Sequence, residues 1–284
     1  MEEAIRKADV LIEALPYIKE FHNKATVIKY GGSILGDDRV RKGVLEDIVF
    51  LSYMGLRPVL VHGGGPNISE RMRSTGKKTD FVDGMRVTDK DTLKIVEEEL
   101  DKLNKNIIKE IEELGGKAKS FTAKKDCILK VTKKKAKIDL GLVGTMADVD
   151  TGALLKDMPH NTIPVICPMG KDDKGIIYNV NADEVASFVA AKLNAVKFVL
   201  LTNVKGLMRD VSDPNSFLAS ITEDEAKKLI KEKVIQEGMI PKIEACFAAI
   251  DGGVRKSHII DARVPHALLL EIFTNTGIGT EIAK

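Results

Sequence analysis

Two short apolar or β-branched runs near the start of this 284-residue chain each lead into a cluster of glycines, and the first run also contains a lysine. Residues 26–30 contain Lys29 and lead into Gly31-Gly32, and residues 58–62 lead into Gly63-Gly64-Gly65. Glycines let backbone N–H groups approach an anion closely, and a following helix N-terminus adds a favourable dipole. A lysine beside such a turn is a natural phosphate partner. The spacing therefore predicts an anion-binding site, although tight turns also use glycine for purely structural reasons.

Three later segments carry further polar side chains. Arg86 follows a glycine turn and could hold a carboxylate through two parallel hydrogen bonds, or form a surface ion pair. Asn179, Asn181 and Asp183 lie at the mouth of a predicted helix, where an ordinary N-cap is the alternative. Lys242 lies at the start of another predicted helix, where a cation is unfavourable against the helix dipole. That conflict favours an anionic ligand for Lys242.

The predicted secondary-structure elements that must position these residues alternate between strands and helices. β-Branched or apolar runs predict strands at residues 26–30, 58–62, 163–167, 198–201 and 257–261. Start and stop signals predict helices at residues 37–54, 67–74, 88–114, 222–233 and 240–250. This alternation is typical of an α/β fold with a parallel sheet and crossover helices. Ligands of such sheets bind beyond the carboxyl ends of the strands, which is where these polar residues stand.

The middle and the beginning of the chain do not follow this alternation of strands and helices. A hairpin or a loop is predicted around Asp83-Gly84, and three short strands are predicted between residues 117 and 149. Residues 4–21 have apolar side chains at helical spacing, with Pro16 predicting a kink or a break. This helix packs either on its own domain or against another subunit.

Composition excludes several classes of protein. Lys and Arg number 44 against 42 Asp and Glu, and this balance offers no case for nucleic-acid binding. Aromatic residues are scarce and tryptophan is missing, which argues against stacking platforms. No apolar run reaches the ~20 residues of a membrane span, and the start is acidic rather than cationic. Cys127, Cys167 and Cys246 form no C-x-x-C pair, so we expect reduced thiols in a soluble, cytoplasmic protein.

Known nucleotide-binding motifs do not occur in the sequence. There is no G-x-x-x-x-G-K-[ST] loop, no G-x-G-x-x-G fingerprint, and neither the H-R-D nor the D-F-G tripeptide of protein kinases. A dinucleotide-dependent dehydrogenase is therefore disfavoured. An enzyme of phosphoryl transfer would need another fold.

Five motifs in order resemble the amino acid kinase superfamily, and within it the N-acetylglutamate kinases. The resemblance covers residues 26 to the C-terminus and is carried by Lys29-Tyr30-Gly31-Gly32, Val61-His62-Gly63-Gly64-Gly65-Pro66, Arg86-Val87-Thr88, Asn179-Val180-Asn181-Ala182-Asp183 and Gly238-Met239-Ile240-Pro241-Lys242. It implies a three-layer αβα sandwich around a largely parallel sheet, like that of carbamate kinase. It also implies an N-terminal oligomerisation helix (residues 1–24), a lobe for the amino-acid substrate and dimerisation (25–180), and a lobe for ATP and arginine (181–284).

The same resemblance implies roles for individual residues. Lys29 and Lys242 would bracket the transferring phosphoryl group, and Asp183 would orient both lysines. Substrate-binding groups would be Gly64, Gly65, Arg86, which would grip the α-carboxylate, and Asn179. The nucleotide would be bound by Gly31, Gly32, Thr202 and Asn203, the last standing where the superfamily more often has aspartate.

The activity implied is ATP-dependent phosphorylation of the side-chain carboxylate of N-acetyl-L-glutamate, a step of arginine biosynthesis. Such a carboxylate is already ionised at neutral pH, so no general base is required. Mg²⁺ would be held mainly by the phosphates of ATP, without dedicated protein ligands. Positioning and charge stabilisation would then supply the catalysis.

The ends of the chain resemble the arginine-inhibited branch of these kinases. The resemblance is carried by residues 263–274 and 277–280, and by the helix before the first strand. It implies a homohexamer made of three dimers joined by the N-terminal helices. L-Arginine would bind between that helix and the C-terminal region, with its charge on Glu271 and backbone near Gly277 assisting.

Other activities stay open at this point. A sister kinase could act on a carrier-protein-linked aminoadipate or glutamate, whereas Arg86 favours a substrate with a free α-carboxylate. Aspartokinase and glutamate 5-kinase fit the segment 179–183 less well. A non-catalytic amino-acid sensor on the same fold would have no need of both Lys29 and Lys242.

Overall fold

The computed structural model describes residues 1–32, 36–210, 212–235, 238–274 and 277–283. Its α-helices are α1 Glu2–Phe21, α2 Asp38–Tyr53, α3 Gly65–Ser74, α4 Lys90–Glu113, α5 Thr151–Asp157, α6 Ala182–Lys192, α7 Glu223–Lys231, α8 Ile240–Asp251 and α9 Ala267–Phe273. Its strands are β1 Ala25–Tyr30, β2 Arg57–His62, β3 Phe81–Val82, β4 Met85–Arg86, β5 Lys117–Phe121, β6 Leu129–Lys133, β7 Gly144–Val149, β8 Thr162–Ile166, β9 Met169–Lys171, β10 Ile177–Asn179, β11 Lys197–Thr202, β12 Leu207–Met208, β13 Phe217–Leu218, β14 Ser220–Thr222, β15 Lys256–Asp261 and β16 Thr280–Ala283.

An eight-stranded sheet forms the centre of the molecule, in the order β14-β16-β15-β11-β1-β2-β8-β5. Its neighbouring strands are parallel except for β15 and β16, which are antiparallel. In the register of the central strands, Tyr30 lies opposite both His62 and Leu201. The glycine turns after β1 and β2 and the loop after β11 therefore leave the same edge of the sheet side by side.

Helices cover both faces of this sheet, which explains why its central strands are apolar at consecutive positions rather than at alternate ones. Val27 packs in a core with α6, α7 and α8, whereas its neighbour Ile28 packs on the other face with α2, α4 and α9. Both side chains are fully buried. The predicted three-layer αβα sandwich with a largely parallel sheet is confirmed.

A smaller sheet and a hairpin build the rim above the strand ends. The smaller sheet has the order β10-β9-β6-β7. Bridges from Val143 to Asn179 and from Thr88 to Gly141 tie its loops to the start of α4. The hairpin β3–β4 turns at Asp83 and Gly84, both with positive φ, so the hairpin is the one of the two predicted alternatives that the structure shows.

Most predicted elements are present, and the differences have physical reasons. Helix α1 runs through Pro16 without a break, so the predicted break is wrong, whereas a kink there stays a prediction. The turn that follows Pro16 packs on the core through Tyr17 and Phe21. The predicted start signals are confirmed at Asp37, which caps α2, and at Thr222, which forms a capping box with Glu225. Strand β16 was not predicted, because its partners β14 and β15 are distant in sequence.

The two predicted lobes occupy opposite halves of the central sheet. Strands β1, β2, β5 and β8 come from residues 25–180, and β11, β14, β15 and β16 come from residues 181–284. The halves meet where β1 pairs with β11. The division into lobes at residue 180 stays a prediction.

Two further sequence predictions concern membranes and thiols. Within the described ranges, no helix combines the length and apolar character that crossing a bilayer requires. All three cysteines are free, and burial raises the pKa values of Cys167 and Cys246 well above the usual range.

Candidate active site

A cavity of about 410 Å³ lies beyond the carboxyl ends of β1, β2 and β11. Loops from both halves of the central sheet and from the smaller sheet converge on it. All of the predicted catalytic, substrate-binding and nucleotide-binding residues line it: Lys29, Gly31, Gly32, Gly64, Gly65, Arg86, Asn179, Asp183, Thr202, Asn203 and Lys242.

A carboxylate between two ammonium groups forms the charged centre of the cavity. Nζ of Lys29 lies 2.8 Å from Oδ1 of Asp183, and Nζ of Lys242 lies 3.8 Å from Oδ2 of the same carboxylate. Lys29 is the fifth residue of β1, Asp183 the second residue of α6, and Lys242 the third residue of α8. Helices α6 and α8 pack on one face of the sheet, and their N-termini bring these groups together.

Asp183 is held in its ionised form. Burial by itself would raise the pKa of this carboxyl, but the charges of Lys29 and Lys242 outweigh burial and keep the pKa below its usual value. The side chain of Asn181 caps α6 by accepting from the N–H groups of Asp183 and Glu184, at 2.8 and 3.2 Å. The carboxylate can therefore hold both lysines in place for an incoming anion.

The two glycine turns face each other across the floor of the cavity. A Cβ atom added to Gly32 would lie 2.8 Å from Cδ of Pro66 and within 3.3 Å of the backbone nitrogens of Gly64 and Gly65. A Cβ at Gly64 would lie 2.5 Å from Cδ2 of Leu100, so side chains cannot fit here. The N–H groups of Gly64 and Gly65 have no acceptor among the described residues. They remain available to oxygen atoms of a ligand.

Arg86 is fixed at the opposite wall by neutral partners. Its Nη2 donates to Oγ of Ser69 at 2.7 Å and to the carbonyl oxygen of Gly65 at 3.1 Å, and Nη1 lies 3.2 Å from Sδ of Met72. The ring of Phe81 lies 4.7 Å from its guanidinium carbon. Burial lowers the pKa of Arg86 from its usual value. These contacts leave the positive charge without a carboxylate partner of the described chain, so an anionic ligand can neutralise it.

Asn179 approaches the same wall from the smaller sheet. Its backbone N–H donates to Leu142 O at 3.0 Å, and its Nδ2 donates to Oγ1 of Thr88 at 3.3 Å. That hydroxyl in turn donates to the carbonyl oxygen of Arg86 at 2.8 Å. Asn179 and Arg86 are therefore positioned by one connected set of hydrogen bonds.

The loop after β11 brings Thr202 and Asn203 to the cavity. The Thr202 hydroxyl accepts from the Val204 N–H, and its single hydrogen is shared between the carbonyl oxygens of Val204 and Ile260, at 3.0 and 3.2 Å, so it closes the turn. Asn203 is exposed. Nucleotide binding by Thr202, Asn203, Gly31 and Gly32 stays a prediction.

Several residues of the site were not predicted from the sequence. Phe81 and Ser69 hold Arg86, and no local pattern distinguishes them from ordinary hairpin and helix residues. Such supporting contacts depend on residues that are distant in sequence. By contrast, an N-cap was predicted as the alternative role for the segment 179–183, and it is confirmed at Asn181, whose side chain caps α6.

Glu271 and Gly277 lie apart from this cavity, at the edge where α9 approaches β15 and β16. A Cβ at Gly277, which has positive φ, would lie 2.9 Å from Oε2 of Glu271. That carboxylate is buried, accepts from the N–H groups of Ile278 and Gly279, and lies 2.7 Å from Nδ1 of His258. Burial would raise its pKa, but these partners lower it to about 2.

If Arg86 binds the carboxylate that the sequence resemblance implies, replacing it with alanine raises KM for that anionic substrate by about 10- to 100-fold, since a hydrogen bond to a charged group contributes about 1.5–3 kcal/mol. KM for the nucleotide that the resemblance implies stays within a few-fold, because Lys29, Asp183 and Lys242 are untouched. Steady-state kinetics with each substrate varied in turn measure both values. Arg71→Ala is the matched control: Arg71 lies on α3, half-exposed, 3.9 Å from Glu99, and its loss leaves both KM values unchanged. Equal effects of the two substitutions would contradict a substrate contact by Arg86.

Residues 24–261 match the model of the amino acid kinase family, so the chain belongs to that family. The acetylglutamate kinase of Halothermothrix orenii is 45% identical to the chain over 288 residues, covering 100% of this chain and 99% of that protein. The acetylglutamate kinase of Methanocaldococcus jannaschii is 44% identical over 295 residues, covering 100% of this chain and 98% of that protein.

Solved structures with the same fold include enzymes of two kinds. The N-acetylglutamate synthase of Neisseria gonorrhoeae, in complex with coenzyme A and N-acetylglutamate, superposes with a TM-score of 0.87 and 26% identity. The alignment covers 98% of this chain but only 63% of the synthase chain. Carbamate kinase of Giardia lamblia bound to AMP-PNP gives a TM-score of 0.66 at 17% identity, covering 92% of this chain and 99% of the other, and shares the fold alone.

Proposed function

We propose that this chain is an ATP-dependent kinase that phosphorylates the side-chain carboxylate of N-acetyl-L-glutamate in arginine biosynthesis. The observation that carries the proposal is the cavity itself. Lys29, Asp183 and Lys242 form a charged centre there, and Arg86 and Asn179 line the same cavity. The chain is also about 45% identical, over its whole length, to proteins named acetylglutamate kinase.

The residues of the cavity suit the chemistry of this transfer. An oxygen of the substrate carboxylate attacks the γ-phosphorus of ATP, the bond from that phosphorus to the β,γ-bridging oxygen breaks, and ADP leaves. Both reactants are anions, so the barrier lies in bringing them together. Lys29 and Lys242 offset the charge of the transferring group, while the N–H groups of Gly64 and Gly65 stabilise its oxygens. The carboxylate is ionised before it attacks, and no side chain has to remove a proton.

Arg86 and Asn179 suit the other end of the acceptor. The charge of Arg86 has only neutral partners within the described protein, and a free α-carboxylate would neutralise it. Asn179 presents an amide on the same wall, which can donate to and accept from the N-acetyl group. A substrate carrying both groups would be oriented with its side chain towards the two lysines.

Mg²⁺ would enter this site with the nucleotide. Asp183, the cavity carboxylate, is already paired with Lys29 and Lys242, and no cluster of three or more metal-ligating side chains occurs in the described ranges. Mg²⁺ commonly binds substrate phosphates and keeps several waters, which fits such a site. When bound, it supplies charge neutralisation on the phosphates.

A test of the proposed function is hydroxylamine trapping of the acyl phosphate, coupled to ADP release, across a panel of acceptors. The wild-type protein forms a hydroxamate from N-acetylglutamate, and not from glutamate, aspartate or N-acetylaminoadipate at comparable rates. Activity on aspartate alone would contradict the proposal. Activity that requires a carrier-linked acceptor would identify the sister kinase, and binding of amino acids without ADP release would identify a sensor.

The N-terminal helix supports an oligomeric enzyme. Helix α1 packs on the rest of the chain through Tyr17 and Phe21 near its C-terminal end. Apolar side chains of its earlier turns are exposed by 42–67%: Ile5, Val10, Leu11, Ile12 and Leu15. Such a stripe is costly in water and would be buried against the same helix of another copy. This supports a homohexamer of three dimers in which α1 joins the dimers.

The region around Glu271 supports inhibition by L-arginine. Its carboxylate is ionised and buried near the end of α1, where Nζ of Lys197 lies 4.0 Å from Oε1 and 5.5 Å from the ring of Phe21. A guanidinium entering between α1 and residues 277–279 could form an ion pair with Glu271 beside Gly277. A ligand there would couple α1, and hence the oligomer, to the central sheet. A cytoplasmic location remains a prediction that accompanies this biosynthetic role.

Changing Leu11 to glutamate places a charge within the exposed stripe of α1, and we expect the hexamer to dissociate into dimers. Millimolar L-arginine inhibits the wild-type hexamer and has a much weaker effect on the variant, because α1 no longer lies against a neighbour. Light scattering after gel filtration measures the mass, and the ADP assay measures inhibition. A wild-type protein that is dimeric and insensitive to arginine would contradict this prediction.

A further inference from the structure

The imidazole of His62 is completely buried at the end of β2, directly before the glycine turn of the cavity. The transfer reaction as proposed makes no use of it. Its Nδ1 lies 3.1 Å from the carbonyl oxygen of Gly63, and its Nε2 lies 3.2 Å from Nδ2 of Asn104. Both ring nitrogens therefore have a partner inside the protein.

These partners define one tautomer of the ring. The carbonyl oxygen of Gly63 can only accept, so Nδ1 must carry the hydrogen. Nδ2 of Asn104 can only donate, and it also donates to Val165 O at 3.1 Å, while Oδ1 of Asn104 accepts from Ser120 at 2.6 Å. Nε2 of His62 must therefore be the acceptor. The ring is neutral, in agreement with its burial, which lowers the pKa of His62 to about 4.

The hydrogen bond from His62 also orients the next peptide group. The carbonyl of Gly63 and the N–H of Gly64 belong to one planar trans peptide, in which they point in opposite directions. When the carbonyl is held by the imidazole, the N–H of Gly64 must point away from it. Gly64 lines the cavity, its nitrogen faces the Gly32 turn, and its N–H has no acceptor among the described residues.

We propose that His62 is a positioning residue for phosphoryl transfer: its Nδ1–H holds the Gly63 carbonyl and so aims the N–H of Gly64 at an oxygen of the transferring group. Asn104 and Ser120 hold the imidazole in the required tautomer. Glycine turns have many accessible conformations, so an external hydrogen bond is needed to keep such a donor aligned. The inference rests on the proposed function of the cavity.

Two substitutions of His62 separate positioning from packing. In His62→Asn the side-chain amide occupies the place of Nδ1 and can still donate to Gly63, whereas the contact with Asn104 is lost. In His62→Gln the amide reaches the place of Nε2 and keeps the contact with Asn104, whereas the donor to Gly63 is lost. We expect His62→Gln to lower kcat by about 10²-fold, the usual effect of losing an oxyanion donor, with KM for both substrates little changed. We expect His62→Asn to retain a kcat within about tenfold of wild type.

Thermal unfolding of both variants provides the structural comparison. Equal losses of kcat in the two variants, or no loss in His62→Gln, would overturn the inference, because a residue that only fills the core would not distinguish the two donors. The tautomer gives an independent test on the wild-type protein, and it applies even if both variants fail to fold. Two-bond ¹H–¹⁵N correlation should show a neutral His62 with hydrogen on Nδ1 at neutral pH.

A neutral ring with hydrogen on Nε2, or a charged ring, would overturn the inference. Failure of the proposed function is seen differently, as a wild-type protein that forms no acyl phosphate from N-acetylglutamate. The tautomer is measured without substrates and does not depend on that result.

Discussion

Replacing Lys29 or Lys242 with alanine lowers kcat by about 10²- to 10³-fold, the effect seen when one preorganised donor to a transition-state oxyanion is removed. In the proposed reaction, each ammonium would offset the charge that accumulates as an anionic carboxylate approaches an anionic triphosphate. The two lysines approach Asp183 from different elements, β1 and α8, so neither can substitute for the other. Steady-state turnover at saturating N-acetylglutamate and ATP measures the loss.

The two substitutions, Lys29→Ala and Lys242→Ala, are expected to differ in their effect on the stability of the fold. The side chain of Lys242 is 28% exposed and that of Lys29 is 11% exposed, so Lys242→Ala disturbs the fold less. Lys227 is the matched control: it lies exposed on α7, paired with Glu223 at 2.8 Å, and its replacement by alanine leaves kcat unchanged. Near-wild-type turnover in either site variant, with the fold intact, would exclude a catalytic role for that lysine.

Replacing Asp183 with asparagine has the second large effect, on both turnover and stability. The amide has no charge to hold the two ammonium groups, so kcat falls by at least about 10²-fold. Lys29 is left buried without its counter-charge, and breaking a buried ion pair in this way costs about 3 kcal/mol of the free energy of unfolding. Chemical denaturation measures that cost, and kinetics measure the loss of turnover.

ATP should restore part of the lost stability in Asp183→Asn. Its phosphates supply the negative charge that the carboxylate no longer provides, so the increase in melting temperature on adding ATP is larger than in wild type. Asp148→Asn is the control, since Asp148 forms an exposed ion pair with Lys192 at 3.0 Å and lies outside the cavity. A stable, active Asp183→Asn variant would show that the carboxylate does not orient the lysines.

The edge of the sheet that carries the site could be predicted because its signals are local. A β-branched run followed by glycines marks the ends of β1 and β2, and both turns lie where that pattern places them. The starts of helices could also be predicted from local sequence, since an N-cap such as Asp37 accepts hydrogen bonds from backbone N–H groups within the next three residues. Parallel strands then bring their carboxyl ends to one edge, which makes the neighbourhood of the turns predictable as well.

The meeting of distant groups could not be derived from local pattern. Lys242 and Asp183 face each other because α6 and α8 pack side by side, and nothing in either helix sequence specifies that packing. Their roles were available only from the order of five motifs. The partners of Arg86 on α3 and the antiparallel strand β16 were missed for the same reason, since each depends on a contact between remote segments.

At Pro16 the prediction failed for the opposite reason, because the local effect of proline on the helix did not decide the structure. Proline removes one hydrogen bond and crowds the preceding turn, which predicts a kink or a break in an isolated helix. Helix α1 nevertheless continues to Phe21, where its last turns pack on the central sheet and α9. Packing of those turns therefore outweighs the local penalty.

The most direct test of the proposed phosphoryl transfer follows an oxygen atom of the acceptor carboxylate through the reaction. N-Acetylglutamate labelled with ¹⁸O in its side-chain carboxylate is incubated with ATP, Mg²⁺ and the wild-type protein, and hydroxylamine then cleaves the product at its carbonyl carbon. If the carboxylate attacks the γ-phosphorus, the released phosphate carries one ¹⁸O atom from the amino-acid side chain. Phosphate without label would mean that water attacks ATP, and would contradict the proposed transfer.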